Sequence, residues 1–344
     1  MSHIVLADDG IEFDGRTMES RPLGGVETSV VYLVRELARR GHRVQVLNKC
    51  PRPLTHEGVE WAPIGGGPPT SADLYIANRG DKLLALMPGA GRTIFWIHNP
   101  ARYLLKWRYL SKLWRLKPAI VFIGHVHSAT YPRWAPDGGR VVIPYGIPNE
   151  VLGAESAAEP PGPRAIFTSN PLRSLDWLLE LWAARIYPRV PGAELHVFSG
   201  PATYGAVGAA KSQAMGAVLD KARSLTSSGV RLRQPLPRAN LMAELRASRV
   251  MLYRGDLNET FCLALGEAQA MGVPAVVQGL GSVVERVIDG ETGTIARDDD
   301  AFAEAAVRLL TDDGLWQAQH DQALIKQRQW GWAEAAAAFE GLIP

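Results

Sequence analysis

The sequence predicts an α/β protein of two Rossmann-like domains, because strands and helices alternate in two series that a short Pro- and Gly-containing stretch separates. Right-handed crossovers would direct the strand ends of both series at one cleft, so we expect the two domains to face each other. The expected parts are a first domain at 1–152, a linker at 153–163, a second domain at 164–328 and a terminal helix within 329–344.

Short apolar runs with the length of buried strands define the two series. In the first series they lie at 3–7, 44–47, 74–77, 93–97, 120–123 and 141–143. In the second series they lie at 165–168, 194–198, 230–233, 250–253, 274–277 and 293–296. Apolar residues at helical spacing predict the helices of the second series at 175–186, 207–225, 241–247, 283–288 and 302–310.

Length and composition are those of an ordinary globular protein. The 344 residues suffice for two cores, and 47% hydrophobic with 21% charged residues is a usual balance. The formal net charge of +2 argues against nucleic-acid binding. Cys50 and Cys262 make neither a disulfide framework nor a CxxC metal site, so a cytoplasmic location is expected. We expect no leader peptide, and no apolar run reaches the length of about 18 residues that spans a membrane.

A Gly-Gly turn and three histidines follow strands of the first series. Gly24 and Gly25 open a helix after the first strand, although taken alone the pair is only a tight connection. His98 follows the strand at 93–97, and His125 and His127 follow the next one, at the strand ends where open α/β sheets bind ligands. A loop histidine without a role is the alternative for His98. No carboxylate or cysteine signature accompanies the three, so a zinc triad is not favoured.

The stretch at 258–277 is the most informative about chemistry. It predicts a turn, a helix, a stop at Gly272 and Pro274, and a buried strand. Glu259 lies just before the helix and Glu267 about two turns into it, at most roughly 12 Å apart along the axis. That spacing suits an extended ligand with hydroxyl groups at two places.

An anion is expected between these two carboxylates. The free N–H groups of Thr260, Phe261 and Cys262, together with the helix dipole, favour negative charge there. A diphosphate with a sugar at each end satisfies all three requirements, and a nucleotide sugar is such a molecule.

Glu259 and Glu267, in the context Glu-Ala-x-Ala-x-Gly-x-Pro, resemble the Glu-x7-Glu motif of the retaining glycosyltransferases of family 4, the glycosyl transferases group 1. The resemblance implies the GT-B fold, with two facing Rossmann-like domains, a cleft between them and a terminal helix that crosses back to the first domain. It implies that Glu259 contacts the donor sugar and Glu267 the ribose. It also implies that Gly24 and Gly25 admit the donor phosphates and that His98 lies by the donor sugar and the acceptor oxygen.

The phosphate-binding cations depart from the family pattern. Family members carry an Arg and then a Lys-Gly after the first strand of the second domain, whereas this chain has Arg173-Ser174 in place of Lys-Gly. Asn170 falls near the position of the other Arg, so one cation is lost or moved. Arg254, after the strand at 250–253, could supply the missing charge, and a plain surface arginine is the alternative. Arg173 remains competent for a phosphate, since Arg binds phosphate bidentately.

No metal or other cofactor is expected. Asp298-Asp299-Asp300 contains the Asp-x-Asp that metal-dependent glycosyltransferases of the other major fold use, but N-terminal capping of the following helix explains it.

The predicted function is a retaining transfer of a sugar from a nucleotide diphosphate sugar to a hydroxyl acceptor, saccharide or lipid-linked, in polysaccharide or glycolipid assembly. Two alternatives stay open. One is a sugar-nucleotide epimerase or a phosphorylase of the same fold, and the other is a non-catalytic sugar-binding protein whose altered phosphate clamp marks a degenerate site.

Residues 101–117 carry six basic residues and no acidic one, interleaved with aromatic residues and leucines. This pattern is typical of interfacial helices, and it predicts contact with an anionic membrane at its cytoplasmic face. The spacing is imperfect, since Tyr103, Trp107 and Trp114 share one face while Tyr109 and Leu116 lie on another. A helix packed on two sides, with the basic side chains reaching to solvent, is the alternative.

Overall fold

The computed structural model describes residues 1–21, 23–200 and 211–344. The start of the helix predicted at 207–225 therefore lies outside the described residues. The chain divides into two compact units: unit 1 comprises Met1–Gly146 and Trp330–Pro344, and unit 2 comprises Ile147–Gln329. Each unit has its own parallel sheet, so the predicted α/β class with two parallel-sheet domains is confirmed.

Unit 1 is built on one eight-stranded sheet. Its strands are β1 (His3–Asp8), β2 (Arg43–Asn48), β3 (Leu54–His56), β4 (Val59–Pro63), β5 (Ala72–Asn78), β6 (Ala90–Trp96), β7 (Ala119–Phe122) and β8 (Arg140–Val142). They lie in the order β3-β4-β2-β1-β5-β6-β7-β8, and only the β3–β4 pair is antiparallel. The central strands are buried on both faces, which explains their nearly continuous apolar sequences.

Among residues 1–21 and 23–146, the structure describes four helices. They are α1 (Thr17–Ser20), α2 (Gly25–Arg39), α3 (Trp107–Leu116) and α4 (His125–Ala129). Short 3-10 turns lie at Ile64–Gly66, Leu83–Ala85 and Ala101–Leu105. The residue before α4 is Gly124, and Ser128 lies inside the helix, where its N–H donates to the Gly124 carbonyl (2.9 Å).

The β3–β4 hairpin was not predicted from the sequence. Its turn residues Glu57 and Gly58 have φ of 48° and 79°, so both are left-handed. Two-residue hairpin turns of this kind favour Asn-Gly or Asp-Gly, and a glutamate at the first position conceals the signal.

The basic stretch 101–117 is not one continuous helix. A 3-10 turn at Ala101–Leu105 is followed by Lys106 in extended conformation (φ −68°, ψ 138°), and α3 begins at Trp107. The helical periodicity therefore applies only from Trp107 onwards, which is why the sequence-based spacing was imperfect.

Unit 2 contains a six-stranded, wholly parallel sheet. Its strands are β9 (Arg164–Phe167), β10 (Glu194–Phe198), β11 (Val230–Arg233), β12 (Val250–Leu252), β13 (Ala275–Gln278) and β14 (Gly293–Ala296). The order is β11-β10-β9-β12-β13-β14, in which β9 and β12 are neighbours at the centre. From β9 the following strands are added on one side of the sheet, through β10 to β11, and from β12 they are added on the other side. β9 and β12 therefore mark a topological switch point, where open α/β sheets bind ligands.

Described helices of unit 2 are α5 (Asn149–Leu152), α6 (Leu175–Leu181), α7 (Ser212–Ser224), α8 (Arg238–Arg246), α9 (Leu263–Ala270), α10 (Asp299–Thr311) and α11 (Asp313–Gln327). A π turn at Trp182–Ile186 extends α6, and 3-10 turns lie at Tyr187–Arg189, Thr226–Ser228 and Gly281–Glu285. The helix predicted at 283–288 is the last of these turns. The Asp298 carboxylate accepts a hydrogen bond from the Ala301 N–H (2.8 Å), which confirms the predicted cap of α10. Among the described residues, no helix has both the length and the hydropathy to cross a bilayer.

The chain passes into unit 2 earlier than the expected boundary at residue 152, and the predicted linker at 153–163 falls inside that unit. Ile147 and Val151 are buried in the core of unit 2, so the chain joins that unit directly after Gly146. The following stretch is held to unit 2 by two arginines: Arg328 donates to the Ala154 carbonyl (2.9 Å) and Arg249 to the Pro161 carbonyl (3.1 Å).

After Gln329 the chain returns to unit 1 and forms α12 (Trp332–Glu340). Trp332 is buried and stacks on Tyr32 of α2, with ring centroids 5.9 Å apart. At the end of the helix, Glu340 pairs with Arg40 and with His42 (2.6 Å). Apolar packing of α12 therefore completes the core around α2.

We expect Trp332→Ala to lower the free energy of unfolding of unit 1 by about 3–5 kcal/mol, because it removes a large buried side chain. Glu340→Gln is the matched control on the same helix. It weakens ion pairs that are partly exposed to solvent, so it should lower the free energy of unfolding by less than about 1 kcal/mol. Denaturant titration of both variants measures the difference, and equal losses would contradict the packing role of Trp332.

Candidate functional site

Glu259 lies in the loop between β12 and α9, and its carboxylate is almost entirely buried (7% exposed). Tyr253 O–H donates to Oε2 (2.8 Å), and the Arg173 guanidinium forms an ion pair with the same oxygen. The structure therefore brings together two of the predicted site residues, Glu259 and Arg173, which lie far apart in the sequence. A buried carboxylate needs such compensation, because leaving one uncompensated is strongly destabilising.

Arg173 is presented by a tight turn that Asn170 builds. The Asn170 Oδ1 accepts from the Leu172 N–H (2.9 Å), and its carbonyl accepts from the Arg173 N–H (2.9 Å). Burial lowers the pKa of Arg173, but the Glu259 charge and Tyr253 outweigh this and raise it, so the guanidinium stays protonated. Asn170 thus has a turn-forming role here.

Ser174 has a left-handed backbone (φ 61°, ψ 18°) directly before α6. The family pattern has glycine at this position. The conformation gives the physical reason, because a left-handed backbone costs a residue with a Cβ roughly 1–2 kcal/mol. Ser174 Oγ donates to the Gly255 carbonyl (3.3 Å), which links the Arg173 turn to the loop that carries Glu259.

Gly281 permits the backbone of Glu259 to lie close to the loop after β13. Its φ is +68°, and a Cβ there would come within 2.2 Å of the Asp256 carbonyl oxygen and 2.9 Å of the Glu259 carbonyl oxygen. The Ser282 N–H donates to that Glu259 carbonyl (3.1 Å). Sequence reasoning missed this contact. The available signal was a glycine that follows shortly after a buried strand.

Glu267 lies on α9 and forms an ion pair with Arg238, the first residue of α8. Both side chains are mostly buried. Sequence reasoning did not single out Arg238, because nothing in the local sequence distinguishes it from a solvent-facing arginine. Each of the two motif glutamates is therefore paired with an arginine of unit 2.

The helix that carries Glu267 begins later than expected. Cys262 is left-handed (φ 61°, ψ 72°) and precedes the first helical residue, Leu263. The first turn of this helix consequently starts at Leu263. Thr260, Phe261 and Cys262 form the buried approach to the helix, and burial raises the pKa of the Cys262 thiol well above its usual value.

Arg254 is engaged elsewhere in unit 2. Its Nε donates to Gln278 Oε1 (2.8 Å), and its guanidinium lies 4.7 Å from the centre of the Trp177 ring. These contacts give Arg254 a packing role, and they do not connect it to Glu259.

In unit 1, His98 lies at the end of β6 and is buried, with both ring nitrogens hydrogen-bonded. Nε2 lies 2.5 Å from Asn78 Oδ1, and Nδ1 lies 2.5 Å from the Tyr145 hydroxyl. Asn78 Nδ2 donates to the Asp8 carboxylate (2.5 Å), so Asn78 Oδ1 must accept. His98 therefore carries its proton on Nε2 and accepts from Tyr145. Burial, then the charges of Arg79 and His127, lower the pKa of His98 well below its usual value.

The same polar network extends to the Gly-Gly turn. Arg79 bonds to Asp8 through Nε (3.1 Å) and Nη2 (3.0 Å), and to Glu27 of α2 (2.8 Å). A Cβ on Gly24 would lie 2.6 Å from the Glu27 carboxylate, so glycine at this position makes room for Glu27. Charged hydrogen bonds of Arg79 thereby join the carboxyl ends of β1 and β5 to the start of α2, and the neutral His98–Asn78 bond adds the end of β6.

The other two histidines do not join His98 in a metal site. His127 is buried between the Ile123 N–H, which donates to Nδ1 (3.2 Å), and the Asn99 carbonyl, which accepts from Nε2 (2.8 Å). His125 is exposed. In the described ranges, no three His, Cys, Asp or Glu side chains come together to hold a metal ion.

His98 and His127 should make unit 1 sensitive to acid. Burial lowers the pKa of His127 to about 4, whereas the unfolded chain takes up that proton near pH 6.5. Because the unfolded state then binds more protons than the folded state, stability falls as pH drops below 6.5, by about 1.4 kcal/mol per pH unit for each histidine.

Denaturant unfolding at pH 7, 6 and 5 measures this slope. His127→Gln should reduce it, and His125→Gln, a change at the exposed neighbour, should not. An unchanged slope in His127→Gln would mean that other groups cause the acid sensitivity.

Comparison with known proteins identifies the family. Residues 23–148 match the sequence model of Glycosyltransferase Family 4, and residues 163–312 match that of Glycosyl transferases group 1. A D-inositol 3-phosphate glycosyltransferase of Corynebacterium aurimucosum is 33% identical over 115 residues, which are 33% of this chain and 27% of that protein. The match thus spans about a quarter of the relative's length.

Solved structures with the same fold cover nearly the whole chain. Sucrose-phosphate synthase from Thermosynechococcus elongatus superposes with a TM-score of 0.75 at 16% identity, over 98% of this chain and 97% of that one. Anabaena Alr3699/HepE, solved in complex with UDP and glucose, has a TM-score of 0.70 at 12% identity over 99% of both chains. With both sequence matches and this fold, the chain belongs to the glycosyl transferases group 1, which have the GT-B fold.

Proposed function

We propose that the protein transfers a sugar from a nucleoside diphosphate sugar to a hydroxyl acceptor, with retention of configuration at the anomeric carbon. The observation that carries the proposal is the pair of motif carboxylates, Glu259 and Glu267, each paired with an arginine of unit 2. Carboxylates accept hydrogen bonds from sugar hydroxyls, and guanidinium groups bind phosphate oxygens in a bidentate manner. The hydroxyl groups and the diphosphate of such a donor would therefore both find partners.

The donor is held in this proposal from both ends. Glu259 accepts from hydroxyls of the transferred sugar, and Glu267 accepts from the ribose. Arg173 and the N–H groups at the start of α9 face the diphosphate. A diphosphate arriving at Arg173 replaces the negative charge that Glu259 now supplies, which leaves the Glu259 oxygens available to the sugar.

Chemistry in the proposed site depends on the departure of the nucleoside diphosphate. The bond from the anomeric carbon to the diphosphate oxygen breaks while the acceptor oxygen bonds on the same face of the sugar, and the acceptor proton leaves with the diphosphate. Arg173 stabilises the charge that develops on the leaving group. The acceptor is a saccharide or a lipid-linked hydroxyl compound. No metal is required in this scheme, because a guanidinium and a helix terminus supply the positive charge.

His98 has a positioning part in the proposed reaction. Its neutral ring, held between Asn78 and Tyr145, presents neither nitrogen for proton transfer. In this proposal its ring contributes by fixing the shape of the strand ends of unit 1.

Glu267→Ala should weaken binding of a nucleoside diphosphate by about 1.5–3 kcal/mol, the usual value for a hydrogen bond to a charged group. The full donor should lose as much, because both carry the ribose. Glu259→Gln is the matched variant: it should lower turnover and leave nucleoside diphosphate affinity nearly intact. Calorimetry and donor-consumption rates measure the two quantities. Unchanged diphosphate affinity in Glu267→Ala would remove that residue from the site.

Arg173→Ala should reduce donor turnover by about 10²–10³-fold, the range for removing a group that stabilises developing charge. Arg173→Lys, which keeps a cation beside Glu259, should recover part of the rate. Arg254→Ala is the control, because Arg254 packs on Trp177 and should change turnover by only a few-fold. A larger loss in Arg254→Ala than in Arg173→Ala would overturn the assignment of the phosphate cation. A wild-type protein that consumes no donor at all would instead favour the non-catalytic alternative.

A further inference from the structure

Two tryptophans of α3 are exposed on one face of the helix. Trp107 is 80% and Trp114 is 72% exposed. They are seven residues apart, which places both on the same side of an α-helix. Tyr109 and Leu113, on the opposite side, are buried in the core of unit 1. The helix is thus already anchored by one face and presents large apolar side chains on the other.

A third exposed tryptophan lies in the adjoining turn. Trp134 is 72% exposed, and its turn leads to Gly138. The Gly138 N–H donates to the Pro118 carbonyl (2.9 Å), and a Cβ on Gly138 would lie 1.8 Å from the Lys117 carbonyl oxygen. The turn is therefore fastened to the residues that end α3.

The stretch of sequence that carries these tryptophans is basic, and its nearest acidic residues are Asp81 and Asp137 at its two ends. Residues 82–136 contain nine of the 37 basic residues and none of the 35 acidic ones, so the rest of the chain carries 28 basic against 35 acidic residues. Lys106, Arg115 and Lys117 are exposed, and within the described part of the chain they have no carboxylate within 4 Å. Lys112, by contrast, pairs with Asp81 (2.7 Å).

We propose that these side chains form a docking face for an anionic lipid bilayer. The face consists of Trp107, Trp114, Trp134, Lys106, Arg115 and Lys117. Indole rings combine an apolar body with a polar N–H and concentrate at the level of lipid head groups. Basic side chains beside them meet anionic head groups, while their stems stay on the apolar surface. A partner protein is the weaker match, since lysine is depleted in protein interfaces. The proposal concerns unit 1 alone and does not depend on the proposed transfer reaction.

Co-sedimentation of the full chain with vesicles tests the proposal. We expect binding to vesicles of phosphatidylcholine with phosphatidylglycerol, weaker binding at high salt, and little binding to phosphatidylcholine alone. The triple variant Lys106→Glu, Arg115→Glu, Lys117→Glu should lower the partition coefficient at least about a hundredfold, since each basic residue near the surface contributes about fivefold. Lys112 is kept, because reversing it would also break its ion pair with Asp81.

A matched variant separates the docking face from overall charge. Lys211→Glu, Arg233→Glu, Arg308→Glu makes the same charge change on exposed residues of unit 2 that, like the test triple, have no carboxylate within 4 Å among the described residues, and it should retain binding. Trp107→Ser, Trp114→Ser should also reduce binding and should remove part of the tryptophan quenching by brominated lipids. Equal losses in the two charge variants, or no binding to anionic vesicles, would overturn the proposal. Binding to single-stranded RNA that the Lys106 triple variant abolishes, without vesicle binding, would overturn it in favour of a nucleic-acid surface.

Discussion

The arrangement of the candidate site in unit 2 depends on the compensation of one buried carboxylate. Glu259 can be buried only because Arg173 and Tyr253 supply a charge and a donor, and removing either leaves an unfavourable buried group. The left-handed Ser174, the Asn170 turn and the close approach of Gly281 all serve to bring Arg173 and the Glu259 loop together. The same pair is suited to a ligand that carries both phosphate and hydroxyl groups, because such a ligand can satisfy the arginine and the carboxylate separately.

In unit 1, a chain of hydrogen-bond donors and acceptors compensates the buried carboxylate of Asp8. The Asp8 carboxylate can only accept a hydrogen bond, so the amide N–H of Asn78 points towards it and the Asn78 oxygen points towards His98. His98 must therefore carry its proton on Nε2, and its Nδ1 accepts from the Tyr145 hydroxyl. Arg79 connects Asp8 to Glu27 and so ties α2 to the strand ends. The network explains why His98 stays neutral. It also means that both ring nitrogens are engaged, so His98 can position its neighbours but has no nitrogen available for proton transfer.

Much of the fold and part of the candidate site were predictable from the sequence. Parallel strands buried on both faces appear as continuous apolar runs, so the strands were found almost in place, and the spacing and context of Glu259 and Glu267 marked their stretch. The β3–β4 hairpin was missed because Glu57 is an unusual residue for its turn. Arg238, Tyr253 and Gly281 were missed because their importance lies in side-chain and backbone contacts that no local pattern encodes.

By itself, the sequence determined the alternation of elements, the family and the stretch that bears the two carboxylates, because periodicity and short motifs are local properties of the chain. Tertiary structure alone decided which arginine pairs with which glutamate, that His98 is neutral, and that the chain enters unit 2 at Ile147 and returns to unit 1 at Trp330. It also decided that Trp107 and Trp114 face outwards while Tyr109 and Leu113 face the core. Burial and charge pairing arise from residues distant in sequence, and only the folded chain brings these together.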